Sequence, residues 1–135
     1  MADILVDSNV LLDILTVDSL WFEWSSTALV QHGEDNVFVI NPVIYAEISI
    51  RFDSIEDLEH ALSQTSLERR QIPWSAAFLA GKCFQQYRRS GGTRRSPLPD
   101  FFIGAHAAVE GMALLTRDSA RYRTYFPRLR ILAPD

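Results

Sequence analysis

Three short runs of consecutive apolar residues most constrain this chain: Ile4 to Val6, Val37 to Ile40 in VFVI, and Met112 to Leu115 in MALLT. A strand with one wet face alternates apolar and polar residues. A strand covered on both faces reads as a continuous apolar run, which is the habit of parallel sheets. The segments between these runs have helical spacing. Asn9 to Leu15 suits a short helix, Ser19 to His32 a second one opening after Asp18, and VIYAEISIRF a third behind Asn41 and Pro42, a cap and first-turn pair. DSIEDLEHALSQ carries an Asp53 or Ser54 cap and places Ile55, Leu58, Ala61 and Leu62 on one face. RRQIPW is expected as a short strand and SAAFLAGKCFQQYRR as a helix capped by Ser75, before SGGTRRSP breaks regular structure. A helix then runs from about Pro99 and Asp100 to a Gly111 cap, followed after MALLT by a short helix in RDSARYRTYF and a last strand in LRILAP. Strands alternating with helices predict an α/β sandwich: a parallel sheet covered on both faces.

The chain has 135 residues, 47% of them hydrophobic, which is material for one core and one domain over residues 1–135. No apolar stretch approaches the roughly 20 residues that span a bilayer, and MADILVDS lacks the basic and apolar regions of a signal peptide. The expectation is a cytoplasmic protein with no membrane partner. The single cysteine, Cys83, sits in AAFLAGKCFQQY and reads as a small buried hydrophobe, which excludes disulfides and zinc–cysteine sites. A net charge of −4 argues against a non-specific nucleic-acid coat. The positive charge is nevertheless arginine apart from Lys82, and it clusters in RRSGGTRR (Arg88, Arg89, Arg94, Arg95) and in the tail RDSARYRTYFPRLR. Arginine is the side chain suited to bidentate phosphate contacts.

Functional groups on open parallel sheets gather beyond the carboxyl ends of the strands. Asp7 directly follows the first strand and Asp118, in LLTRDS, follows MALLT in the same way. Asp100 lies in the first turn of the helix that leads into MALLT, and Glu47 is the lone acid among the apolar neighbours VIYAEISI. Four carboxylates from four segments are therefore expected to face one cleft. Their repulsion calls for a hard cation, and oxygen ligands without Cys or His select Mg²⁺ or Mn²⁺ over zinc. Such a site suits phosphodiester cleavage.

Each acid also has a structural use. Asp7 can cap the helix after it, Asp118 can cap RDSARYRTYF or pair with Arg117 or Arg121, Asp100 can serve the dipole of its own helix, and Glu47 can pair with Arg51 one turn along. Glu56, Asp57 and Glu59 read as a solvated helix face.

The set VDSN (Val6 to Asn9), Glu47 in YAEI, DFFIGAHA (Asp100 to Ala107) and LLTRD (Leu114 to Asp118) resembles the PIN-domain family, and within it the VapC-type ribonuclease toxins of bacterial toxin–antitoxin pairs. The resemblance covers essentially the whole chain. It implies an α/β/α sandwich with a central parallel sheet and endonucleolytic cleavage of RNA dependent on Mg²⁺ or Mn²⁺. Asp7, Glu47, Asp100 and Asp118 match the family's acidic quartet, and Asn9 and Thr116 match the polar residues that support it. By that resemblance Asp7, Asp100 and Asp118 hold the metal directly or through water, and Glu47 completes the shell or orients the attacking water. Hydrolysis then leaves a 5′-phosphate and a 3′-hydroxyl. The implied partners are a cognate antitoxin, an RNA substrate and a second copy of the chain. Arg88 to Arg95 stand just before Asp100, where they are expected to guide the RNA backbone or to form a solvated loop. Trp21, Phe22 and Trp24 could stack bases, but at apolar positions of a helix they are expected in the core or at an antitoxin or dimer contact, and His106 as a structural histidine off the Asp100 face.

Other classes fit less well. A phospho-receiver domain needs an aspartate after a central strand and a lysine after a late one, but Asn41 follows VFVI and Lys82 lies mid-helix. AGKC lacks the upstream glycine and following hydroxyl of a phosphate-binding loop. The remaining alternatives are a catalytically silent PIN domain that binds RNA or protein, and an RNA-processing nuclease without an antitoxin.

Overall fold

A computed structural model of the chain describes residues 2–95 and 98–134, so Ser96 and Pro97 of the expected irregular segment lie outside the described residues. Five strands form one parallel sheet in the order β3-β2-β1-β4-β5. They are β1 (Ala2–Val6), β2 (Asn36–Ile40), β3 (Leu67–Arg69), β4 (Ala113–Leu115) and β5 (Ile131–Leu132). The helices are α1 (Ser8–Leu15), α2 (Phe22–Gly33), α3 (Pro42–Ser49), α4 (Ile55–Leu62), α5 (Trp74–Arg89), α6 (Pro99–Glu110) and α7 (Ala120–Tyr125). This is the expected three-layer α/β/α sandwich.

The apolar runs lie where continuous burial requires. Ile4, Leu5 and Val6 of β1 and Leu114 and Leu115 of β4 are buried, as are Val39 and Ile40 at the end of β2. β1 pairs with β2 on one side and with β4 on the other, in register Leu5↔Val39 and Leu5↔Leu114. The chain thus winds outward from β1 to β3, then crosses back to continue with β4 and β5. The reversal point falls between β1 and β4, where the loops leaving the two strands diverge and open a crevice.

Local capping explains the boundaries. Asn41 accepts the Ile44 N–H at 2.9 Å and Pro42 fills the first turn of α3. Ser54, one of the two expected caps, accepts from Asp57 N at the start of α4. Gly111 closes α6 in the left-handed region at φ 67°, the conformation only glycine adopts without strain.

Three expectations are corrected. RRQIPW contributes only Arg69 to β3, with the Arg70 N–H making the last bond to Ile40 O. β2 ends at Ile40 because Asn41 turns the chain into α3, so the residues after Arg70 have no strand beside them. α5 opens at Trp74 without a Ser75 cap: Pro73 stands at the cap position and its carbonyl accepts from Ala76 and Ala77. α2 begins at Phe22, not Ser19, because Asp18 Oδ1 takes the N–H groups of Leu20 and Trp21 in a turn before the helix. Cys83 is buried on α5 as expected.

Candidate acidic site at the strand ends

The backbone carries Asp7 to the crevice by one last ladder bond, from Asp7 N to Leu115 O at 2.9 Å, after which the chain turns into α1. Asp7 is the N-cap of that helix, accepting Ser8 N on Oδ1 at 2.7 Å. The capping use is therefore real, and it occupies one carboxylate oxygen only. The other, Oδ2, accepts from the Thr116 hydroxyl at 2.9 Å, from the Tyr122 hydroxyl at 2.9 Å and from Asn9 Nδ2 at 3.5 Å. Asp7 is 4% exposed.

Two of the other acids are joined to it by hydroxyls. Ser8 Oγ donates to Glu47 Oε1 at 2.9 Å and lies 3.4 Å from Asp7 Oδ1. The Tyr122 hydroxyl also reaches Asp100 Oδ1 at 3.2 Å, so its single hydrogen faces two carboxylates. Asp118 is exposed at the loop after β4; its backbone N–H donates to Thr116 Oγ1 at 3.2 Å and its charge acts on Asp100. α7 has no side-chain cap, which removes the capping use of Asp118, and Arg117 and Arg121 pair with Asp13 and Asp100 instead. Glu47 takes its bond from Ser8, not from Arg51.

Asn9 and Thr116 form one polar chain with Asp7. Asn9 Nδ2 donates to Thr116 Oγ1 at 3.1 Å, and Asn9 Oδ1 accepts the Arg117 N–H at 3.3 Å. The loop after β4 is thereby tied to the first turn of α1.

The electrostatics follow from burial. Loss of hydration pushes the Asp7 carboxyl up, the Thr116 and Tyr122 hydroxyls and the Ser8 N–H pull against it, and the charge of Asp100 adds to the rise. Glu47 is raised by burial first and by the charges of Asp7 and Asp100 after it, with Ser8 opposing. Asp100 is raised by burial and by Asp118, against Arg121 and Tyr122. The Tyr122 phenol is driven far above its ordinary range by burial and the two carboxylates, so it stays a donor.

A carboxyl raised in the folded state costs stability as its charge appears. For Glu47 that cost sets in as pH rises past the ordinary value of 4.5 and is complete above the folded value. Glu47→Gln is therefore expected to raise Tm by a few degrees at pH 7 and to leave it unchanged at pH 4, by thermal unfolding at both pH values.

Several residues of this site were not legible as such. Tyr122 belongs to an apolar triplet with Tyr125 and Phe126 at helical spacing, which reads as core, and its ring is indeed 1% exposed. Asp13 is 2% exposed and accepts from Ser25 Oγ at 2.8 Å and Arg117 Nε at 2.9 Å, while the Arg117 guanidinium lies over Trp21. His106 is a buried structural histidine: Asn41 donates to its Nδ1, leaving Nε2–H for Glu110 Oε1. The Asn41–His106 bond ties the cap of α3, which carries Glu47, to α6, which carries Asp100. Arg88, Arg89, Arg94 and Arg95 are exposed in and after the last turn of α5, with the Arg88 guanidinium donating to Arg94 O.

Carboxylate and hydroxyl oxygens are the donors a hard divalent cation takes. Among the described residues no three acidic or imidazole side chains already surround one point.

The family model described as PIN domain matches residues 4–127. No curated protein matches the chain. Among solved structures, VapBC2 from Rickettsia felis bound to a fragment of its promoter DNA is similar at 17% identity, with 98% of this chain and 99% of that one covered and a TM-score of 0.75. VapBC-1 from nontypeable Haemophilus influenzae is similar at 15% identity, with 97% of both chains covered and a TM-score of 0.70. A toxin–antitoxin complex from Klebsiella pneumoniae is 20% identical, covers 100% of this chain and 98% of its own, and has a TM-score of 0.68. At these identities the likeness is one of fold.

Proposed function

The chain belongs to the PIN-domain family, and from that premise we propose that it is an endoribonuclease dependent on Mg²⁺ or Mn²⁺ and the toxin of a toxin–antitoxin pair, acting in the cytoplasm. One observation carries this reading above the others: Asp7 and Asp100 face a single hydroxyl, and Asp7 is joined to Glu47 through Ser8, at the reversal point of the sheet. Three carboxyls brought this close and all raised, Asp7 buried and Glu47 and Asp100 half-buried, are costly to the fold and point to a functional cause.

In this mechanism Asp7, Asp100 and Asp118 would hold the cation directly or through water. The ion, when bound, would supply Lewis acidity toward the phosphodiester. Thr116, Asn9 and Ser8 fix the Asp7 carboxylate so that it needs no reorganisation during the reaction. Glu47, with its raised affinity for a proton, orients the attacking water and accepts its proton. The new bond forms from water oxygen to phosphorus, the bond from phosphorus to the 3′ oxygen breaks, and a proton completes the 3′-hydroxyl, leaving a 5′-phosphate. Arg88, Arg89, Arg94 and Arg95, exposed just ahead of α6, lead the RNA backbone toward Asp100.

The similar structures are complexes of toxins with antitoxins, which supports a small protein antitoxin as partner. Val17 and Leu20 between α1 and α2, Phe22 at the start of α2 and Ile50 after α3 are exposed apolar side chains on neighbouring elements that offer it a surface. A homodimer is the proposed assembly, with Trp74 (92% exposed) and Phe78, one turn apart on α5, available to a second copy. No described helix is long and apolar enough to cross a membrane.

The test is incubation of a panel of structured RNAs with purified protein in Mn²⁺, in Mg²⁺ and in EDTA. Discrete cuts with 5′-phosphate ends, abolished by EDTA, are expected. Intact RNA in every condition, with RNA still bound, favours the silent RNA-binding module.

A further inference from the structure

The acidic site contains a phenol that is neither a family acid nor one of its supporting polar residues. Tyr122 stands on α7, four residues after Asp118, and its buried hydroxyl lies 2.9 Å from Asp7 Oδ2 and 3.2 Å from Asp100 Oδ1. A phenol has one hydrogen to donate. Here that hydrogen is offered to two carboxylates from opposite ends of the sequence, one behind β1 and one in the first turn of α6. The same short helix brings Arg121 Nη1 to 3.6 Å from Asp100 Oδ2, with its guanidinium over Tyr87 and Phe101. α7 therefore places a hydrogen-bond donor and a positive charge where two like charges repel.

We propose that Tyr122 is a positioning residue of the site: its hydroxyl hydrogen, shared between Asp7 and Asp100, holds the two carboxylates together in the metal-free protein and is given up when a divalent cation takes them. The inference rests on the nuclease reading and deepens it. The competition follows from lone pairs. Asp7 Oδ2 accepts strong bonds from both Thr116 and Tyr122, which fills its two acceptor directions, and Asp100 Oδ1 faces the same phenol. A cation bound by these oxygens has to displace a donor. Thr116 is held in place by Asn9 and by the Asp118 N–H, whereas the Tyr122 hydroxyl has no bond outside the two carboxylates among the described residues. Tyrosine is thus the donor that yields, and it prevents the empty site from springing apart.

Tyr122→Phe keeps the ring in the core and removes only the hydroxyl. The measurement is thermal unfolding of wild type and variant, stripped with EDTA and then with Mn²⁺, together with direct Mn²⁺ titration by calorimetry. Tyr122→Phe is expected to unfold at lower temperature than wild type in EDTA, to recover most of that gap in saturating Mn²⁺, and to bind Mn²⁺ roughly fivefold tighter or more, because binding no longer competes with the hydroxyl. Equal losses with and without Mn²⁺ at unchanged affinity, or weaker Mn²⁺ binding, overturn the inference and leave the metal site standing. A wild type that neither binds Mn²⁺ nor gains stability from it overturns the nuclease reading as well. If the variant does not fold, the wild-type near-UV difference spectrum decides: a Mn²⁺-dependent shift of tyrosine absorption supports the inference, and its absence refutes it.

Discussion

Asp7→Asn is expected to reduce RNA cleavage on the order of 10³-fold or more, the scale on which loss of one preorganised electrostatic group is felt in an active site. The substitution keeps the shape of the side chain and removes its charge. Asp7 is the most enclosed of the four acids and the one to which the others are tied: Glu47 through Ser8, Asp100 through Tyr122, and the loop bearing Asp118 through Thr116. The fold is expected to survive. Ser8 N keeps an oxygen to cap α1, the Tyr122 hydroxyl can accept from the new amide while donating to Asp100, and a buried carboxyl whose ionised form is disfavoured is gone. Cleavage assays with Mn²⁺ beside circular dichroism and thermal unfolding check both halves. Undiminished cutting at native stability removes Asp7 from the chemistry; lost cutting with lost structure says nothing special about this carboxylate.

How much of this site could be read from the residues depends on which force places each group. Asp7 is legible because it directly follows an apolar run and Asp118 because it lies three residues beyond one, and a run of that kind ends at a sheet edge. Glu47 stood out as a lone acid on an apolar helix, and Asp100 because it opens a helix that feeds a strand. These are statements about local pattern, and parallel topology turns them into proximity. The hydroxyl network is of another kind. Ser8 looks like a cap competing with Asp7, and Tyr122 like one member of an apolar stripe, because a hydroxyl that bonds to a residue 115 positions away leaves no trace in its own neighbourhood. The boundary errors have the same origin. β3 stops where β2 stops, and the length of one strand is set by a cap on the helix after its neighbour. Asp18 satisfies two donors ahead of α2 and delays it, an effect of side-chain geometry that composition cannot register.

Gly104→Ala tests the packing that holds this network, and it is expected to lower stability by about 2 kcal/mol, the usual scale of overpacking a core, and hence Tm by roughly 5–10 °C. Intrinsic propensity predicts the opposite sign, since alanine is better than glycine in a helix interior by about 1 kcal/mol. Packing decides. A Cβ at Gly104 stands 2.3 Å from Cε2 and 2.6 Å from Cδ2 of Phe126, a buried ring at the end of α7 whose N–H is bonded to Tyr122 O. The ring has to move, and α7 moves with it, away from α6. Because α6 carries Asp100 and α7 carries Tyr122, the strain reaches the site through the Tyr122–Asp100 bond without touching either residue. Activity is therefore expected to fall along with Tm. The double variant Gly104→Ala with Phe126→Leu separates this cause from a simple loss of core: removing part of the ring costs stability alone, but in the presence of the new methyl it relieves the clash. The two substitutions are expected to be strongly non-additive, with the double variant more stable than the sum of the singles and its activity partly restored. Additive losses would mean that α7 does not ride on the Gly104 contact, and that the spacing of Asp100 and Asp7 is set elsewhere.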